Sequence, residues 1–278
     1  MPYATTPSGR ISYTINGPDE PHGAPQTLLL IMGLAGSGAM WFRLLPHVRK
    51  RYRAIVFDNR GTGDSSLVKG PLTMTELAAD ALAVLDATET KTAHVMGASM
   101  GGMIAQHLAL DHRDRLSSLI LACTSAGGQR EPPNLRLLAA SALRPLVGPN
   151  NTFGIVAPAL YSQRSRTETP ERVREDMRIR ARDRVGQLTP LMQMAAIARH
   201  DTRRRLHELE GLPTLILHGT EDKLIPVSHG RELARSIPGS RLVELEQTGH
   251  LLATDAEEAV ASAVVEHPEH NFTATAAP

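Results

Sequence analysis

Short runs of apolar and β-branched residues recur along the chain, each closed by glycine or a polar turn: Thr27 to Met32, Ala54 to Phe57, Ala93 to Met96, Leu116 to Ala122, Thr214 to Leu217 and Arg241 to Leu245. Both faces of these runs are apolar, the pattern of strands buried on two sides. Between them the period lengthens to that of a helix. Thr73-Met74-Thr75-Glu76 is a capping box, in which a threonine and a glutamate three residues on satisfy each other's backbone N–H groups, and it opens an apolar-periodic run to Leu85. Strands alternating with helices pair in parallel, because a parallel connection needs a crossover and the helix supplies it. The pattern predicts an α/β fold: an open, mostly parallel sheet with helices on both faces.

The alternation stops between residues 126 and 210, where helical stretches follow one another without a strand: Leu135 to Val147, Thr169 to Arg184 and Gln187 to Leu209. This segment is expected to be an inserted helical cap, leaving 1–125 and 211–278 as the core. After Pro268 the chain has no periodicity, and a frayed tail is expected.

Charge refines the picture. The 278 residues carry 30 Lys+Arg against 29 Asp+Glu, a formal charge of +1, which offers no electrostatic reason to expect nucleic acid as a partner. Residues 126 to 210 nevertheless hold fifteen arginines, no lysine and nine acids, a charge of +6, so the remainder carries −5. Guanidinium forks suit carboxylate or phosphate, but helix-spaced groups such as Glu171, Arg174, Glu175 and Arg178 can also neutralise one another on a solvated face. The plainer reading is the second. The lone Cys123 excludes a disulfide framework, and no Cys or His cluster has zinc-site spacing, so no metal is expected. The N-terminus lacks a basic patch followed by an apolar run, and no apolar stretch approaches the ~20 residues that span a bilayer. A cytoplasmic protein without membrane partners is expected; the pattern carries no signal for oligomeric state.

The chemistry concentrates after the strand Ala93 to Met96, where Gly97-Ala98-Ser99-Met100-Gly101-Gly102 leads into a helical pattern through Leu110. A serine there can serve merely as a helix cap. Gly-x-Ser-x-Gly between a strand and a helix points further, because the sharp turn strains the serine backbone and only small residues at 97 and 101 let the helix pack so close to the strand. The hydroxyl of Ser99 is then pushed out at the carboxyl edge of the sheet. Helix N-terminal N–H groups favour negative charge, so the Met100 N–H is placed to receive an oxyanion.

A serine hydroxyl needs a base. Of the twelve histidines, His250 in Gly249-His250-Leu251 lies just past the last strand, at the same edge as Ser99. His94 falls in a strand, His107 on a helix, and His22, His267 and His270 in loop or tail, and these read as structural or solvated. The acid that orients the base comes from His218-Gly219-Thr220-Glu221-Asp222, which offers Glu221 and Asp222 side by side. The segment Leu121 to Ser125 holds no acid. The glycine-rich loop Gly33-Leu34-Ala35-Gly36-Ser37-Gly38 lacks dinucleotide-site spacing, and the Leu34 N–H reads instead as a second oxyanion donor.

Together with Asp58-Asn59-Arg60-Gly61-Thr62-Gly63-Asp64-Ser65-Ser66, these motifs resemble the α/β-hydrolase family over nearly the whole chain. The resemblance implies Ser99 as nucleophile, Asp222 rather than Glu221 as acid, His250 as base, Leu34 and Met100 as oxyanion donors, and the Asp58 to Ser66 turn as a structural border of the site. It extends to bacterial esterases, enol-lactonases and polyketide-pathway methylesterases. Where relatives often carry His-Gly this chain has Met32-Gly33, and where they often carry a larger residue it has Ala98.

The expected activity is hydrolysis of a small-molecule carboxylic ester or lactone through an acyl-enzyme, with no cofactor. Two alternatives stand beside it: a thioesterase whose arginine-rich cap binds the phosphate of a carrier- or coenzyme-A-bound acyl group, and a non-hydrolytic ligand-binding or biosynthetic member of the fold.

Overall fold

In a computed structural model, residues 1–18, 26–128 and 156–270 are described. Eight strands form one sheet in the order β1-β2-β4-β3-β5-β6-β7-β8. They are β1 (Tyr3–Thr6), β2 (Gly9–Asn16), β3 (Thr27–Ile31), β4 (Arg53–Phe57), β5 (Ala93–Ala98), β6 (Leu116–Ala122), β7 (Thr214–Gly219) and β8 (Arg241–Leu245). The last six pair in parallel, as the alternation predicts, while β1 and β2 pair antiparallel at one edge.

The N-terminal hairpin is absent from the sequence reading. The burial of β2 neither alternates nor runs continuously, because it pairs with β4 while part of its length faces solvent.

The longer helices are labelled α1 (Met74–Ala87), α2 (Met100–Asp111), α3 (Pro170–Arg182), α4 (Thr189–Ala198), α5 (Ser228–Ser236) and α6 (Glu257–His270). The capping box at Thr73 and Glu76 forms, with both reciprocal bonds present. One core layer joins α1 and α2 to the sheet through residues such as Leu77, Leu85, Ile104 and Leu108. The other packs α6 and Trp41 against the opposite face through Leu28, Leu30, Ile120 and Val264.

Between β6 and β7 every described element is helical. The expected helix Leu135 to Val147 lies outside the described residues, as does His22. The long helix expected from Gln187 to Leu209 is shorter: α4 ends at Ala198 and a single turn resumes at Leu206–Leu209. The break is tertiary, since Thr202 N–H donates to Ala126 O (2.9 Å), Gly128 N–H donates to His200 O (3.3 Å), and Asp201 bridges to Gly127.

The expected ladder of Glu171, Arg174, Glu175 and Arg178 is also not what forms. Glu175 and Asp176 instead grip Arg43 of the core, at 2.8 and 3.1 Å, because a guanidinium only 9% exposed needs partners more than a solvated one does. At the C-terminus α6 continues to His270, and His267, expected in a tail, is helical and buried; the rest of the expected tail, 271–278, lies outside the described residues.

Candidate active site

β3, β5, β7 and β8 run parallel, so the segments leaving their carboxyl ends converge on one rim of the sheet. Ser99 follows β5 with φ 57° and ψ −121°, a strained conformation for a residue with a Cβ. The turn is held by main-chain bonds: Ser99 N–H donates to Ala122 O (2.9 Å), and Ser99 O accepts from Gly102 N (2.9 Å) and Thr124 Oγ1 (2.7 Å). The glycines are sterically required. A Cβ on Gly97 would lie 2.1 Å from Gly101 O, and one on Gly101 would lie 2.1 Å from Ile31 O.

Asp222 and His250 meet as expected. His250 Nδ1 lies 2.7 Å from Asp222 Oδ2, and both residues are buried. A carboxylate only accepts, so the ring proton sits on Nδ1 and the Nε2 lone pair is left for a proton. The other oxygen, Oδ1, accepts the N–H groups of Leu224 (2.9 Å) and Ile225 (2.8 Å), which fixes the carboxylate. The two loops approach closely because β7 ends in glycine: a Cβ on Gly219 would stand 2.2 Å from Thr248 O. Glu221 points elsewhere, its Oε2 accepting Gln163 N–H at 3.0 Å. Among the described residues no hydrogen bond joins Ser99 Oγ to the imidazole, so the structure couples His250 to Asp222 and leaves Ser99 unbonded to the ring.

The Gly33–Gly38 loop leaves β3 directly beside the serine. A Cβ on Gly33 would stand 3.1 Å from Ser99 Cβ and 3.6 Å from Oγ. Gly36 N–H donates to Gly33 O (3.2 Å), closing a turn over Leu34 and Ala35. Neither Leu34 N–H nor Met100 N–H donates to a protein acceptor among the described residues. The Asp58 to Ser66 turn borders the loop: Asn59 Nδ2 donates to Met32 O (2.7 Å), and Gly38 N–H donates to Asp58 Oδ1 (2.8 Å).

Three supporting residues carried no sequence signal as site residues. His218, fully buried at the end of β7, donates Nε2–H to Ile225 O (2.8 Å), bracing the segment that holds Asp222, and burial lowers its pKa so that the ring stays neutral. Asp255 Oδ2 accepts Gly249 N–H and Ser162 N–H, both at 2.7 Å, tying the His250 loop to the inserted segment. Gln193 of α4 accepts Ala35 N–H through Oε1 at 2.9 Å. Gln193 and Asp255 reach residues far apart in the chain, and His218 a loop residue seven positions on, and periodicity encodes none of these contacts. Cys123, near the same rim, is buried, and burial pushes its thiol well above the ordinary range, with Asp222 adding to the effect.

His94 and His107, set aside in the sequence, are held in structural contacts. His94 is buried between Ser118 Oγ (2.7 Å) and Gln26 Oε1 (3.1 Å). His107 meets His200 at 3.3 Å. A surface cleft of about 540 Å³ lies between the β1–β2 turn and the Leu67 to Leu72 segment, and none of the candidate catalytic residues lines it. Among the described residues no group of His, Cys, Asp or Glu is arranged to hold a metal, and no helix is long and apolar enough to cross a membrane.

Comparison with known proteins identifies the family to which this fold belongs. The α/β-hydrolase fold family model matches residues 26–256. "Putative carbamate hydrolase RutD" of Azorhizobium caulinodans is 31% identical over 252 residues, 90% of this chain and 91% of that one. The poly(3-hydroxyalkanoate) depolymerase of Ectopseudomonas oleovorans is 30% identical over 250 residues, 89% and 85% of the two chains. Among solved structures, the enol-lactonase from Burkholderia xenovorans LB400 superposes with a TM-score of 0.84 at 26% identity, covering 96% of this chain and 99% of that one. The chain therefore belongs to the α/β-hydrolase fold family, among its hydrolases.

Proposed function

We propose that the protein cleaves a carboxylic ester or lactone through Ser99, His250 and Asp222, with residues 126–210 acting as a cap over the site. The observation that carries this reading is the 2.7 Å contact of His250 Nδ1 with a doubly anchored Asp222, on the same sheet rim as a serine held at φ 57°. The Ser99 proton passes to His250 Nε2 as Oγ attacks the carbonyl carbon. The oxyanion is received by the N–H groups of Leu34 and Met100. His250 then returns the proton to the leaving alkoxide, which departs as an alcohol or, for a lactone, stays tethered to the acyl group. Water, deprotonated by the same ring, releases the acid and restores Ser99. The contact between Ser99 and His250 forms as the Michaelis complex closes, since such hydrogen bonds often tighten only with substrate bound.

Names of relatives support the substrate class, among them the enol-lactonase and an N-acyl homoserine lactone degrading enzyme that is 26% identical with a TM-score of 0.77. A second reading, carbamate hydrolysis by the same residues, is favoured by the relative 31% identical to this chain. A panel of p-nitrophenyl esters, lactones and carbamates assayed with the wild type and Ser99→Ala separates them. Loss of Ser99 is expected to lower turnover on the order of 10⁶-fold on the true substrate. Retention of more than a tenth of the activity would remove Ser99 from the mechanism.

A further inference from the structure

The turn that presents Leu34 is held at its two ends by the core and at its middle by the inserted segment. Asn59 and Asp58 fix Met32 O and Gly38 N. Between them Ala35 has φ +53°, the left-handed region that a residue with a Cβ enters at a penalty. That conformation is retained where Gln193 Oε1 accepts Ala35 N–H at 2.9 Å. Gln193 is itself fully buried on α4, and its Nε2 donates to Arg60 O at 3.3 Å, so its amide is oriented by a donor and an acceptor. The same helix is seated on the core by Thr189 Oγ1, which donates to Gly61 O at 3.1 Å. Asp183, directly after α3, accepts Ser37 N–H (3.1 Å) and Ser37 Oγ–H (2.6 Å) at the far end of the loop.

From this geometry we infer that Gln193 is a positioning residue for the oxyanion turn: by accepting Ala35 N–H, the inserted helix holds the left-handed turn that aims the Leu34 N–H. The inference rests on the catalytic reading above. The Gly33–Leu34 peptide is trans and its carbonyl accepts Gly36 N–H inside the turn, so its N–H points out of the turn, next to a glycine that abuts Ser99. If Gln193 no longer accepts, the Ala35 N–H is orphaned and the Leu34–Ala35 peptide is free to flip, which returns Ala35 to negative φ and moves the Leu34 backbone with it. The inserted segment would thus complete the site as well as cover it, and substrates that disturb α4 would be turned over slowly even when bound.

Gln193→Met keeps the shape of the side chain and removes the acceptor. In the full-length protein it is expected to lower kcat by about 10- to 100-fold, less than outright loss of an oxyanion donor, with KM changed by less than about threefold on the same ester. The affinity of a trifluoromethyl ketone, whose adduct with Ser99 carries the oxyanion, should fall by the same factor as kcat. Gln193→Glu, whose buried carboxyl must be protonated to donate to Arg60 O, still offers an oxygen to Ala35 N–H and should recover part of the loss. Ala35→Gly in the methionine background should also recover part of it, because glycine tolerates the left-handed turn without support. A merely structural role for Gln193 would move melting temperature and KM and would not be rescued by Ala35→Gly. Gln193→Ala asks the same question if the methionine variant does not fold. The positioning role is overturned if Gln193→Met or Gln193→Ala keeps kcat within twofold while Ser99→Ala is inactive. If Ser99→Ala itself remains active, it is the catalytic reading that fails.

Discussion

Replacing Asp222 by asparagine exchanges one oxygen for an NH₂ group and should nearly silence the enzyme. Asp222 presents Oδ1 to the N–H groups of Leu224 and Ile225 at 2.9 and 2.8 Å and Oδ2 to His250 Nδ1 at 2.7 Å, so three donors face one side chain. Asparagine has a single oxygen. Two backbone donors hold that oxygen more strongly than one ring nitrogen, and the new NH₂ group is left facing His250. The ring answers by presenting Nδ1 as acceptor, which places its proton on Nε2 and removes the lone pair that should take the Ser99 proton. A wrong tautomer with intact geometry lowers turnover by about 10⁴ in another enzyme with such a triad, equivalent to about 5.4 kcal/mol of transition-state stabilisation. Glu221→Gln is the matched control, since among the described residues the Glu221 carboxylate accepts only the outlying Gln163 N–H, and its activity should stay within about threefold of wild type. Steady-state hydrolysis of a p-nitrophenyl ester measures both, and ¹⁵N shifts of the imidazole report the tautomer directly. An Asp222→Asn variant within tenfold of wild type, or a larger loss in Glu221→Gln, would refute the assignment of the acid.

Three further outcomes are expected. His94 and His200 are held by burial at pKa values of about 4, below the unfolded value of about 6.5, so the unfolded chain binds more protons between those limits and stability falls as pH drops through that window; each histidine should remove about 2 kcal/mol between pH 7 and pH 5. Urea unfolding at the two pH values checks this, and His94→Gln, which has no titrating ring, should flatten the slope by one proton. Gly101→Ala puts a methyl 2.1 Å from the Ile31 carbonyl and should destabilise by about 3 kcal/mol or more, whereas Gly17→Ala, with nothing within 4 Å, should leave the melting temperature unchanged. Cys123, buried with a raised pKa, should react with a thiol reagent only as fast as the protein unfolds.

Much of the site could be read along the chain because its chemistry is local. Gly97, Ser99 and Gly101 lie within one strand-to-helix turn whose steric demands are met by neighbours in sequence, and the capping box at Thr73 needs only Glu76 three residues away. The order of buried apolar runs likewise specified the parallel strands and, through them, the rim on which Ser99, Asp222 and His250 lie. Where distant residues compete for a partner, local pattern failed. The ladder expected on α3 gave way to Arg43, and the helix expected through Leu209 broke where Gly127 and Gly128 pair with His200 and Asp201.

Sequence by itself thus determined which residue types stand at the strand ends and in what order, since a buried strand, a tight turn and a helix cap each restrict composition within a few positions. Only the tertiary structure decided that Leu224 and Ile225 anchor Asp222 while Glu221 turns to Gln163, that His218 braces the Asp222 segment, and that Gln193 supports the turn bearing Leu34. Each of these is a hydrogen bond whose partner is chosen by packing, because a buried donor or acceptor must be satisfied by whatever group the fold brings within reach.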